Sequence, residues 1–532
     1  MSATAAGARP RSAGFRLTGT GLMLRFLLRR TWARLLVWPA VVVGMTAVVV
    51  AYYKSEFDTP EALAERAVLS NSAGMKAIFG HITPTGLGGG VWSEMWMFTA
   101  VMLAIGLIFL LTRTNRADEE HGRTELLLAR PIATTSGLVA SVAWLTLLCV
   151  VAAAGAAVVC GAYGLEWTGS WIMGASLGGV GLTGVAVAAL ANQLTVTSRD
   201  ANGLALGILA VFYLLRTIGD LKGNALTWLS PIGWGERMDP WGDDRWWPLV
   251  LIVALWMVCI TLAIGFQPRR DYGAGLVRSR PGPVGSAGFD TTEFGLTIRL
   301  NLGAAIAWVA GMALWGVLLG STLTDMKDLA AQLAPLSGGT GLDAIIALWV
   351  RLTALVVAAL VARHLLTLRS DEEHNLVEPR LAAAISRLRL VGTRLLYTGI
   401  LTLIALAVAG AAMGIVYGTS VSAPEWVGKL TVASIAYLPS LAVIAGVAIA
   451  GYGWLPRLAT TLTWTVVALA WIIAMVGDAL RIPRRILDHL PFTSIQLPAG
   501  NASTVTQIAI TAIAVLLLAF GLWGFHRRGI PQ

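Results

Sequence analysis

Hydrophobic residues come along this chain in long, nearly unbroken runs, without the period of about 2 or 3.6 that marks a half-buried strand or surface helix. Twelve of these runs are roughly 17 to 24 residues long, the length of helix that crosses the hydrocarbon core of a bilayer. Six lie near residues 35–53, 95–112, 137–160, 171–192, 203–219 and 246–266. Six more lie near 301–321, 343–366, 395–417, 430–451, 458–477 and 503–524. The run at 171–192 is rich in glycine and has the least sharply marked ends. The pattern predicts an all-α polytopic membrane protein with twelve transmembrane helices.

Composition narrows the classes. Of 532 residues, 56% are hydrophobic and 13% charged, about half the charge of a soluble domain. One soluble core cannot hide that much apolar surface, and the chain is too apolar for disorder. The formal charge is +10, but the basic residues fall in short segments between apolar runs. That is a topology signal, and it gives no reason to expect a nucleic-acid partner. With the N-terminus inside, cytoplasmic segments hold 26 Lys+Arg against 12 Asp+Glu, and outer segments 11 against 17. Both termini are therefore expected in the cytoplasm, with residues 1–14 as a tail and not a cleaved signal. Cys149, Cys160 and Cys259 lie in or beside apolar runs, without disulfide or metal spacing.

The chain also repeats itself. Asp118-Glu119-Glu120-His121 follows the second run, and Asp371-Glu372-Glu373-His374 follows the eighth. Glu125 and Glu378 trail them at one offset, Arg116 and Arg369 precede them at another. Gly219-Asp220 with Pro231 is echoed by Gly477-Asp478 with Pro491, and Trp96 by Trp349. Each half has an even number of spans, so the predicted repeat is parallel: two six-helix units about an axis along the membrane normal.

The segment Arg116 to Pro131 (RADEEHGRTELLLARP) is charged at its start and apolar later. It predicts a short amphipathic helix whose positive end suits Asp118, Glu119 and Glu120. Three acids with one His make a poor metal site, and a loop without a pocket makes a poor catalyst. Docking of a soluble partner, presented twice, fits better. Residues 15–34 alternate Phe15, Leu22, Phe26 and Leu27 with Arg16, Arg25, Arg29 and Arg30. This stretch, and its counterpart from Phe294 to Leu302, is expected to lie along the inner leaflet. Glu94 and Arg351 are charges within or beside spans, a default functional hypothesis. With Trp96 and Trp349 they are candidates for a pathway or gate, Glu94 and Arg351 pairing across the pseudo-two-fold axis. No catalytic residue or metal ligand is predicted. There is no G-x-x-x-x-G-K-[ST] to cradle ATP phosphates.

In EEHGRTELLLARPI (Glu119 to Ile132), DEEHNLVE (Asp371 to Glu378) and Leu229-Ser230-Pro231-Ile232-Gly233-Trp234, the chain resembles the permease subunit of actinobacterial ABC exporters of polyketide antibiotics and other drugs. The resemblance implies an ABC-2-type (type V) fold, here a fused pseudo-dimer. Its parts would be a tail and amphipathic connecting helix (1–34), a first half (35–266), a linker and second connecting helix (267–300), a second half (301–524) and a C-terminal tail (525–532). It implies coupling helices at Asp118, Glu119, Glu120, His121, Gly122, Arg123 and Glu125 and at Asp371, Glu372, Glu373, His374 and Glu378. These would dock two copies of a P-loop ATPase subunit, which would bind the ATP and Mg. A lipophilic small molecule would leave outward through the bacterial plasma membrane by alternating access. The second half has Asn375, Leu376 and Ala384 where Gly, Arg and Pro stand in the first, so the two docking sites need not be equivalent. Rival readings are a proton-coupled secondary transporter, which would rely on Glu94, a membrane enzyme acting on lipid-linked sugars, and an antimicrobial-peptide sensor or immunity permease that would share the fold without turning drugs over.

Overall fold

A computed structural model of the chain describes residues 18–57, 59, 86–128, 131–277, 288, 292–337, 341–382, 385–476, 483–495 and 503–528. All regular structure among them is helical. A helix satisfies every backbone N–H and C=O within itself, which is what hydrocarbon demands of a spanning segment. Among the described residues, eleven helices are long and apolar enough to cross a membrane. The chain divides into two compact units, Met1–Gly282 and Pro283–Gln532.

Unit 1 comprises α1 (Thr20–Glu56), α2 (Leu87–Thr114), the short α3 (Arg116–Glu120) and α4 (Arg123–Leu128), then α5 (Ser136–Ala162), α6 (Trp167–Leu194), α7 (Ser198–Lys222), the short α8 (Pro231–Glu236) and α9 (Trp247–Phe266). The glycine-rich α6 is the most buried of the candidate spans and packs against α2, α5, α7 and α9. Its small residues are the reason. A Cβ on Gly184 would stand 2.6 Å from the Ala104 carbonyl oxygen of α2, so glycine lets the two backbones touch.

Unit 2 comprises α10 (Glu293–Ser337), α11 (Gly341–Glu373), the short α12 (Val377–Ala382), α13 (Arg387–Ser420), α14 (Glu425–Ile435), α15 (Leu438–Trp454), α16 (Ala459–Val476), the short α17 (Arg484–Leu487) and α18 (Thr504–Arg527). The span expected at 430–451 is interrupted between α14 and α15, where Pro439 occupies the first turn of the new helix.

The run at 458–477 forms α16 as far as Val476, and residue 477 lies outside the described residues. Two expectations change. The basic stretch before the first span is no separate helix: α1 runs 37 residues from Thr20 through Pro39 to Glu56. Likewise α10 runs 45 residues from Glu293. No pair of helix breakers separates the amphipathic from the apolar part in either case, so nothing stops the helix.

Candidate functional site

The repeated acidic motif lies where the second spanning helix of each unit ends. In unit 2, Asp371, Glu372 and Glu373 are the last three residues of α11. In unit 1, Asp118, Glu119 and Glu120 end α3, which follows α2 after the single residue Asn115. In unit 2 this corrects the expectation that the run opens the next helix, whereas in unit 1 Asp118 and Glu119 do fall in the first turn of the short α3. Glu125 and Glu378 occupy the first turns of α4 and α12. Carboxylates at a helix C-terminus face the negative end of its dipole, so arginines must hold them.

In unit 1 they do. Glu119 is buried and accepts both Arg270 Nη atoms at 2.6 Å, the Gly273 N–H at 2.8 Å and Arg116 Nη1 at 3.1 Å. Arg116 is itself buried and also donates to the Val196, Gly273 and Ala274 carbonyls. Arg270 adds a bond to Gln193 Oε1 at 2.9 Å. Asp118, also buried, takes a two-pronged bond from Arg30 of α1 at 2.5 and 2.9 Å and one from Arg123 at 2.9 Å. The hydrogen bonds to Asp118 hold the Arg30 guanidinium above its ordinary range.

Unit 2 repeats the plan with fewer bonds. Glu372 is buried and accepts Arg528, while Arg369 stands 3.8 Å away. Arg528 also donates to the Tyr452 carbonyl at 2.8 Å. Asp371 pairs with Arg394 of α13 at 2.9 Å, and α12 is tied to the start of α10 through Arg380 and Glu293 at 3.3 Å. In both units the second acid of the motif therefore clasps the chain that leaves the unit's last helix.

What remains exposed is the turn. Glu120, His121, Arg123 and Glu125 are exposed in unit 1, as are Glu373, His374, Asn375, Leu376 and Glu378 in unit 2. Gly122 has φ +69° and Asn375 φ +56°. Only glycine, and asparagine next, enters that left-handed region cheaply. The departure at Asn375 therefore preserves the backbone. The imidazoles match too: His121 Nδ1 lies 2.6 Å from the Ala117 carbonyl and His374 Nδ1 2.7 Å from that of Ser370. Beyond the turn, Leu126 is 79% exposed while Leu127 packs toward Met23 and Leu27. In unit 2, Leu376 is 52% exposed and Val377 buried. Each turn thus carries an apolar tip ringed by charge. Ala384 lies outside the described residues.

The four pathway candidates divide between the units. Glu94 accepts the Tyr53 hydroxyl at 3.0 Å. Trp96 is buried, stacks on Trp92 at 4.5 Å and donates to Ser176 Oγ at 2.9 Å. Arg351 donates to the Ala474 carbonyl at 3.3 Å, and Trp349 packs against the unit 2 core. Among the described residues no cluster of His, Cys, Asp or Glu is placed to hold a metal ion.

Sequence reasoning missed Arg30 and the pair Arg270 and Arg528. The pair left a signal. Arg270 stands 151 residues beyond Glu119 and Arg528 156 beyond Glu372, an echo hidden by a five-residue slip. At the opposite end of α7, Asp220 of the Gly219-Asp220 echo pairs with the buried Arg216 one turn away at 3.5 Å, as their spacing suggests, and also accepts Arg237 at 3.0 Å and Thr227 at 2.9 Å, partners that the spacing does not reveal. Its second-half counterpart, Gly477-Asp478, lies outside the described residues.

With eleven helices long and apolar enough to cross a membrane among the described residues, the chain is a multi-pass membrane protein. A family model, the C-terminal domain of multidrug efflux system permease Rv1217c, matches residues 291–526. The multidrug efflux system permease protein Rv1217c of Mycobacterium tuberculosis is 31% identical over 552 residues, spanning 99% of this chain and 98% of the relative. The chain belongs to the family of that permease.

Proposed function

We propose that this chain is the membrane permease of an ATP-driven exporter of lipophilic drugs, with the acidic-motif face in the cytoplasm and a separate P-loop ATPase docking at each of the two turns. The observation that carries this reading is the repeated turn itself. Two segments share a left-handed corner, an exposed apolar tip and a ring of charge, and each is braced from behind by a buried arginine–carboxylate clasp. An exposed apolar side chain within a ring of charged ones offers a partner the apolar centre and polar rim of a protein–protein interface. The brace would let a push on the turn reach the ends of the second and last helices together. The full-length relative named for multidrug efflux supports the drug as cargo. ATP and Mg belong to the partner, and alternating access of the two halves would move the cargo outward. The arginine-rich segments support both termini inside, and the mycobacterial relative supports a bacterial plasma membrane.

The test is gentle purification of the tagged chain from its own host, followed by weighing of the complex. Two ATPase copies per chain support the proposal. A chain that stays alone and drives proton-dependent efflux in vesicles without ATP sinks it, and makes Glu94 the carboxylate to examine.

A further inference from the structure

Behind the unit 1 clasp lies a cavity of about 270 Å³, roughly nine water volumes at about 30 Å³ each. Its two walls differ. One is apolar: Met23, Phe26 and Leu27 from α1, with Leu127 and Ile132. The other carries Asn192, near the end of α6, and Gln267. Asn192 is 1% exposed, and neither its Nδ2 nor its Oδ1 has a hydrogen-bond partner among the described residues. The Gln267 Oε1 is likewise unpartnered. A buried amide with both ends unmet costs stability unless something in the cavity answers it.

The charged groups on the same walls constrain what that is. Arg116 and Arg270 are committed to Glu119, and Asp118 to Arg30 and Arg123. Every wall charge is met by another, so an ion entering would bring a charge with no partner. An uncharged group offering both a donor and an acceptor would match Asn192 and leave the clasp intact. The apolar wall suits a few methylenes attached to it.

Unit 2 shows the contrast. The Arg528 that corresponds to Arg270 bonds to the Tyr452 carbonyl, and the buried Tyr452 ring lies 5.0 Å from Phe525 with the Arg528 guanidinium over it at 5.2 Å. There the arginine is lined by aromatic rings, where Arg270 in unit 1 bonds the Gln193 amide.

We propose that the unit 1 cavity binds the uncharged polar head of an amphiphile, a hydroxyl or primary amide, with Asn192 as the recognising residue. The same chemistry is offered by a neutral glyceride of the membrane and by an uncharged transported solute.

The full chain, purified in detergent, would be titrated with 1-decanoylglycerol, and with decanoate and decyltrimethylammonium as charged probes of equal chain length, binding being read by native mass spectrometry. The glyceride should bind at least tenfold tighter than either ion. Asn192→Leu should weaken it at least tenfold without lowering Tm, because Asn192 holds nothing else in the fold. Asn192→Ala serves as the second variant should leucine not fit. Equal binding of the charged probes, unchanged binding in both variants, or a high-resolution structure with the glyceride present and only ordered water at Asn192 would each overturn the proposal. Chain purified from drug-free cells with no probe added separates the sources. A glyceride mass riding with it identifies the membrane as the source, and a bare chain from which an uncharged drug displaces 1-decanoylglycerol identifies a solute.

Discussion

Glu119 and Glu372 stand at the same place in the two units and are held very differently. Glu119 is met by the buried Arg116, by Arg270 and by a backbone N–H. Glu372 leans on Arg528, with Arg369 at the edge of contact. Yet the turns that follow have the same left-handed corner and the same imidazole contact. The two turns share one shape while their bracing differs. Under the proposed docking the shape is what the partner would meet, and the bracing is each unit's own affair.

The largest effect should come from the richer clasp. Glu119→Ala strands Arg116 and Arg270, and losing one side of a buried ion pair costs about 3–5 kcal/mol. Glu372→Ala removes one strong partner and should cost about 1–3 kcal/mol. Thermal unfolding of both variants in detergent checks the order, and equal losses would break the comparison. The corner comes next. Gly122→Ala should cost about 1–2 kcal/mol for a Cβ in left-handed backbone, whereas Asn375→Gly should be neutral or stabilise by up to about 1 kcal/mol. A neutral Gly122→Ala would mean that the corner is not fixed. The smallest effect belongs to Glu120, which is exposed and accepts the Ser198 N–H at 3.0 Å. Glu120→Ala should move stability by less than about 0.5 kcal/mol, and a larger loss would place Glu120 among the braces.

The sequence carried the repeat and most of the spans because each is written locally. An apolar run announces its own helix, and D-E-E-H recurs letter for letter. It did not carry the roles of the acids. Asp118 and Glu120 are two residues apart, yet one is buried against Arg30 and the other exposed. What separates them is a partner 88 residues away, and no local pattern records that. Asn375 looked like a loss of Gly122 because letters were compared where φ was the shared property. Asn192 resembles any polar residue near the end of a span, and only packing reveals that its amide is unmet. The continuous α1 was missed for the opposite reason. The change from amphipathic to apolar pattern suggested a boundary that the backbone had no cause to make.

The division of labour between buried brace and exposed turn is open to one direct measurement: the number of ATPase copies recovered with the Leu126→Asp, Leu376→Asp and double variants. Both leucines are exposed, so the variants should fold with the Tm of the parent. Each single variant should lose one of two copies, and the double variant both. A double variant that still carries two copies would contradict the account, because the apolar tips would then have no part in docking.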